Sequence, residues 1–146
     1  MKKQFAQKLL YFVPLFIQVG LIIAVFVVNY LAGTKAGVYR HVYSRRMQYM
    51  EGFYNPNSIQ WQSLLVACFC IILFILLFSA IRRRMDLFNK VQIALAILLS
   101  LFIIFVMNSE FFITMMAYPY IIIVFEIVFA IQLMVIIVLS LKKSKQ

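Results

Sequence analysis

Glu126 is the residue whose type and position most demand a chemical explanation. It stands about two turns inside an apolar run covering 118–141, and no other acid lies at comparable depth in any apolar stretch of the chain. An ionised carboxylate there costs a few kcal/mol on insertion scales unless it meets water, a cation or a proton. Three chemistries satisfy it. Glu126 is protonated and hydrogen-bonded to another helix; it is paired with an arginine; or it binds a proton or cation in a transport path. Asn29, Ser63 and the arginines Arg40, Arg45 and Arg46 are the partners expected at that depth. Gln18 and Asn29 are eleven residues apart, close to three helical turns, so they share a face and could extend a polar track inward. Transport sites usually gather several polar groups and helices broken by Gly or Pro, and this chain has few of either, which puts the hydrogen-bonded reading first.

The other reactive side chains do not assemble a reaction. His41 and Arg45 are four residues apart and share a helical face, but one histidine is not a metal site, and the two cysteines lie in a different segment. Cys68 and Cys70 diverge by about 200° around a helix, so they neither bridge each other nor form the Cys-x-x-Cys of redox enzymes. No second intramembrane carboxylate or histidine accompanies Glu126 as an acid–base partner, and no glycine loop is built to cradle phosphate. The expectation is a protein that is not an enzyme and that carries no metal and no cofactor.

Four long apolar elements must position these residues. They cover about 9–32, 59–81, 91–107 and 118–141, and each is long enough to cross a bilayer. With 66% hydrophobic and 12% charged residues and a mean hydropathy of +1.01, a chain of this length cannot hide its apolar surface in a soluble core. The fold class expected is an all-α membrane protein, a single domain over 1–146, with four transmembrane helices joined into a four-helix bundle. The first apolar stretch exceeds the length of a secretory h-region, and a cut after Ala32 would place bulky Tyr30 where a small residue belongs. It reads as an uncleaved anchor.

Cations orient the spans. Lys2, Lys3, Lys8, Arg82, Arg83, Arg84, Lys90, Lys142, Lys143 and Lys145 fall on one side, against Lys35, Arg40, Arg45 and Arg46 on the other. The positive-inside rule then puts both termini in the cytoplasm, with an outer loop over about 33–58. A plasma membrane of the bacterial kind is the expected location. The Arg82–Arg84 run is assigned to lipid headgroups, where each cation is worth about 1 kcal/mol. A net charge of +10 raises nucleic acid as a partner, but the cations are scattered over short loops on both faces, and that partner is rejected.

Within the outer loop, Tyr39, Tyr43, Met47, Met50 and Tyr54 recur at helical spacing with Arg40, Ser44 and Gln48 on other faces. The pattern predicts an amphipathic helix lying on the membrane, with Arg40, His41, Arg45, Arg46 and Tyr49 as contacts to a partner or ligand. The turn at Asn55-Pro56-Asn57-Ser58 should cap the second span, and Pro119 suits the first turn of the fourth. Small residues predict that the first two helices pack closely through two stripes, Gly20 with Ala24 in the first span and Ser63, Ala67 and Cys70 in the second, against a partner in this chain or in another subunit. Membrane lipids and other integral membrane subunits are the expected partners. The function expected is a non-catalytic subunit of a larger membrane assembly. The alternatives are a small homo-oligomeric transporter or channel with Glu126 in its path, and a membrane receptor or immunity-type protein binding a peptide or lipid at the outer loop.

Overall fold

A computed structural model describes residues 2–144, and side chains over 11–141. The side chains of Lys2, Lys3, Lys8, Lys142, Lys143 and Lys145, used above for topology, lie outside the described residues. The chain is 89% helix, with no strand among the described residues. Six helices follow one another: α1 (Lys2–Thr34), α2 (Ala36–Glu51), α3 (Pro56–Arg82), α4 (Leu87–Asn108), α5 (Glu110–Ile113) and α6 (Tyr118–Ser144). Four of them hold segments long and apolar enough to cross a membrane: Tyr11–Thr34, Pro56–Arg82, Leu87–Asn108 and Tyr118–Leu141. These are the four spans of the sequence reading, with the helices running past several of the hydropathy boundaries.

Local chemistry fixes the junctions. Asn55 caps α3 by accepting from the Ser58 amide at 2.8 Å, and Pro56 follows at the first helical position, where its missing N–H is no loss. Within the expected Asn55–Ser58 turn, the cap is thus its first residue. At the other end of α3, the Met85 amide reaches back to the Ala80 carbonyl at 3.0 Å around Arg84, whose φ of 48° is left-handed. Glycine normally takes that place; a Cβ there costs about 1 kcal/mol or more.

The long helices alternate in direction. Ser63 of α3 meets Asn108 of α4, Gln92 of α4 meets Gln132 of α6, and Asn29 of α1 meets the start of α6. One end of the molecule therefore carries Tyr11, the Arg82–Arg84 turn and Asp86, and will be called the basic end. The far end carries α2 and α5.

Packing runs in an open arc, α3 on α4, α4 on α6 and α6 on α1. On α4 the inward face is Ile93, Ala96, Ile97, Ser100, Ile103 and Met107, spaced by threes and fours as one helical stripe. On α6 it is Tyr118, Ile121, Ile122, Phe125 and Phe129, which join the α3 and α4 faces in one core with Val25 of α1. A smaller cluster of Ala32, Val42 and Ala117 lets α2 sit against the ends of α1 and α6.

Within this chain the small-residue stripes of the first two spans do not meet. α1 and α3 are not a packed pair: α1 lies on α6, and α3 lies on α4. Gly20 and Ala24 are exposed, and a Cβ at Gly20 would meet nothing within 4 Å. The Ser63–Cys70 stripe does pack, with Cys70 buried and Ala67 half-buried, but toward α4. Small residues permit close approach without dictating it, and the buried amides described next hold α1 to α6 instead.

Candidate functional site

Two polar constellations lie inside the apolar helices, one toward each end. Toward the far end, Glu126 accepts a hydrogen bond from the Tyr54 hydroxyl, Oη to Oε2 at 2.9 Å. Tyr54 belongs to the turn before α3 and is buried, its ring edge-on to Tyr49, which is in turn edge-on to Tyr120 of α6. Three tyrosines from α2, the turn and α6 thus close over the carboxylate. Burial, with the Glu126 charge and the hydrogen bond to it adding in the same direction, pushes the Tyr54 phenol well above its ordinary value. The phenol therefore remains a donor throughout the neutral range.

None of the expected partners touches Glu126. Asn29 accepts from the Ala117 amide at 3.2 Å, anchoring the start of α6 to α1. Ser63 accepts from Asn108 Nδ2 at 3.2 Å. Arg46 turns inward and donates to the Met115 and Ile113 carbonyls at 3.1 and 3.0 Å, so a cation meets the C-terminal carbonyls of α5. Arg45 donates to Gln48 on its own helix at 3.1 Å. Arg40 and His41 are exposed, as is the stacked pair Tyr39–Tyr43, while Tyr49 is half-buried in the tyrosine group. Arg40, His41 and Arg45 thus remain on the surface of α2, whereas Arg46 and Tyr49 are engaged within the molecule. Arg82, Arg83 and Arg84 are exposed at the basic end.

The second constellation joins three helices through glutamines, of which only Gln18 was singled out in the sequence. Gln18 Nε2 on α1 donates to Gln132 Oε1 on α6 at 3.1 Å, and Gln132 Nε2 donates to both the backbone carbonyl and Oε1 of Gln92 on α4, at 3.0 and 2.7 Å. The backbone carbonyl orients the whole chain. A carbonyl only accepts, so the Gln132 amide nitrogen must face Gln92 and its oxygen must face Gln18. Gln18 and Gln132 are buried, and the bonds replace hydration that each amide gives up. Gln18 and Asn29 do share a face of α1, but they serve separate contacts to α6 and do not form a track to Glu126.

Below the glutamines, α1, α4 and α6 together line a cavity of about 790 Å³. Phe12, Pro14 and Leu15 of α1, Val91 and Leu95 of α4 and Val135 of α6 form its walls, with Gln18, Gln92 and Gln132 at one limit and Tyr11, Asp86 and Phe88 at the other. The Tyr11 and Phe88 rings bridge α1 and α4 at the basic end, with centroids 5.2 Å apart.

Sequence reasoning passed over Gln92 and Gln132 because each is a single amide in a long apolar helix with no local pattern around it. The available signal was that solitude, since an amide within a span calls for a partner on another helix. Among the described residues no three His, Cys, Asp or Glu side chains come together as a metal site, Cys68 is exposed and Cys70 buried, and both are free thiols. A comparison with protein-family models, with characterised proteins and with solved structures finds no match to this chain.

Proposed function

We propose that this chain is a non-catalytic integral membrane subunit of a larger membrane assembly, with both termini in the cytoplasm and α2 lying at the outer interface. The observation that carries the reading is the open arc. Among the long helices, α1 packs mainly on α6 and α3 mainly on α4, with ring contacts from Tyr11 to Phe88 and from Phe69 to Phe129 besides, so each ends the arc with an outward face that stays exposed among the described residues. On α3 that face includes Leu64, Ile71, Ile75 and Phe78, all exposed, a continuous apolar stripe suited to a helix from another subunit.

The fate of the intramembrane polar groups supports the same reading over transport. Glu126 is bonded to Tyr54, Asn29 to the start of α6, and the three glutamines to one another, so these groups hold helices together rather than line a continuous path. The exposed Arg82–Arg84 turn supports the cytoplasmic assignment of the basic end. Exposed Tyr39, Tyr43 and Met47 beside Arg40 support an interfacial α2.

The test is a mild-detergent isolation of tagged protein from its native membrane, with mass determination of the intact assembly. Stoichiometric foreign subunits, lost when Ile71 and Ile75 are both changed to Trp, are the expected result. A lone chain, or one that only self-associates, overturns the proposal.

A further inference from the structure

We infer that the cavity between α1, α4 and α6 is a binding site for a neutral lipid whose small head carries a hydroxyl, of the monoacylglycerol class. This rests on placing the four helices in a membrane and is independent of the subunit reading. Three observations converge on the occupant. The first is the valence left over by the glutamine chain. Once Gln132 is oriented by the Gln92 carbonyl, Gln18 is left with Oε1 and Gln92 with Nε2, and neither has a hydrogen-bond partner among the described residues. Both residues line the cavity, which therefore offers an amide oxygen from Gln18 and amide N–H donors from Gln92. A head bearing hydroxyls matches both, because each hydroxyl can donate to the Gln18 oxygen or accept from the Gln92 amide.

The second observation is depth. Tyr11 and Gln18 are seven residues apart on α1, and Asp86 precedes Gln92 by six, so the amides lie about 9–10 Å along the helix axes from the rim at the basic end. A phosphate cannot follow them there without losing its hydration, whereas an uncharged head can.

The third is access. Phe12, Leu15, Val91 and Leu95 line the cavity and are also exposed, so the wall between α1 and α4 opens at the level of the apolar spans. An acyl chain can leave through that side opening into the bilayer while the head stays on the amides. The volume of about 790 Å³ lies within the ordinary range for small-molecule sites.

The experiment uses the full chain in phosphatidylcholine nanodiscs with a mono-oleoylglycerol probe bearing a diazirine in its acyl chain. After photolysis, labelling is measured against probe concentration and the labelled peptides are sequenced. The expected result is saturable labelling near one probe per chain on peptides containing Phe12–Gln18 and Val91–Leu95. Unlabelled mono-oleoylglycerol should compete, and added phosphatidylglycerol should not. Leu95→Trp, which fills the cavity and leaves all three glutamines in place, should lower saturable labelling about tenfold, a loss of about 1.4 kcal/mol in binding. Labelling that never saturates, that spreads evenly over the exposed helix faces, or that phosphatidylglycerol suppresses equally well overturns the inference. The competition on the unaltered protein decides the question even if Leu95→Trp fails to fold.

Discussion

Tyr54→Phe removes one oxygen atom and keeps the ring that packs on Tyr49, so it isolates the hydrogen bond to Glu126. A bond from a buried hydroxyl to a carboxyl group is worth about 1.5–3 kcal/mol in soluble proteins. Interhelical bonds in membranes average about 0.6 kcal/mol and reach about 1.7, because helices separated in lipid also find partners. Tyr54 lies outside the apolar spans, so its unfolded alternative is hydration, while that of Glu126, in the proposed membrane placement, is lipid. The bond should therefore fall toward the upper part of the membrane range, and Tyr54→Phe should cost about 1.5 kcal/mol. At about 3 °C per kcal/mol for a chain near this size, the midpoint of thermal unfolding in detergent should fall by about 4–5 °C. Glu126→Gln keeps an oxygen acceptor for the phenol and should cost less than about 1 kcal/mol, whereas Glu126→Leu strands the hydroxyl. In a cycle of Tyr54→Phe with Glu126→Leu, the double variant should be more stable than the sum of the singles by about 1 kcal/mol. Additivity within about 0.3 kcal/mol would refute the claim that this bond ties the outer turn to α6.

Gln132→Leu breaks three hydrogen bonds and leaves Gln18 and Gln92 unpaired, so it should destabilise the fold by about 2–3 kcal/mol, read by denaturant unfolding in micelles. Arg46→Ala should speed amide hydrogen exchange over the segment from Ile113 to Tyr118 about fivefold, corresponding to about 1 kcal/mol, and Arg46→Lys should restore only part of it, because one ammonium cannot fork between two carbonyls. Arg84→Gly should raise stability by about 1 kcal/mol in the same unfolding assay, since glycine accepts the left-handed backbone that arginine resists. For pH, the Tyr54 phenol titrates above its ordinary value in the folded protein, so its contribution is complete below about pH 10 and is lost as pH rises toward the folded value. Unfolding midpoints of the parent should drop above about pH 10 more steeply than those of Tyr54→Phe.

Hydropathy made the four spans legible because lipid-length apolar runs have few competing explanations. Glu126 was legible for the same reason, as a single charge where charge is costly. Its partner was not: Tyr54 is 72 residues away in sequence and looked like one more aromatic at the interface. The short α5 was missed because four residues carry no readable period, yet its carbonyls explain why Arg46 faces inward. Gly20 and Ala24 find no partner within this chain, because a small-residue stripe marks where helices are able to approach, while a buried polar match such as Gln18 with Gln132 marks where two of them do.

The position of α6 has a consequence for how the protein is made. α1, α2 and α4 all precede it along the chain, and α6 brings the Glu126 that Tyr54 awaits and the Gln132 that Gln18 and Gln92 await. Until α6 leaves the ribosome, Gln18 and Gln92 are amides with no mate, and in the proposed membrane placement hydropathy alone holds their helices in the bilayer. Ribosomes stalled before residue 118 should therefore display α1 and α4 as loosely associated segments, open to chaperones and membrane proteases. Emergence of the Tyr118–Gln132 stretch then acts as the checkpoint at which an inserted polypeptide becomes a folded one.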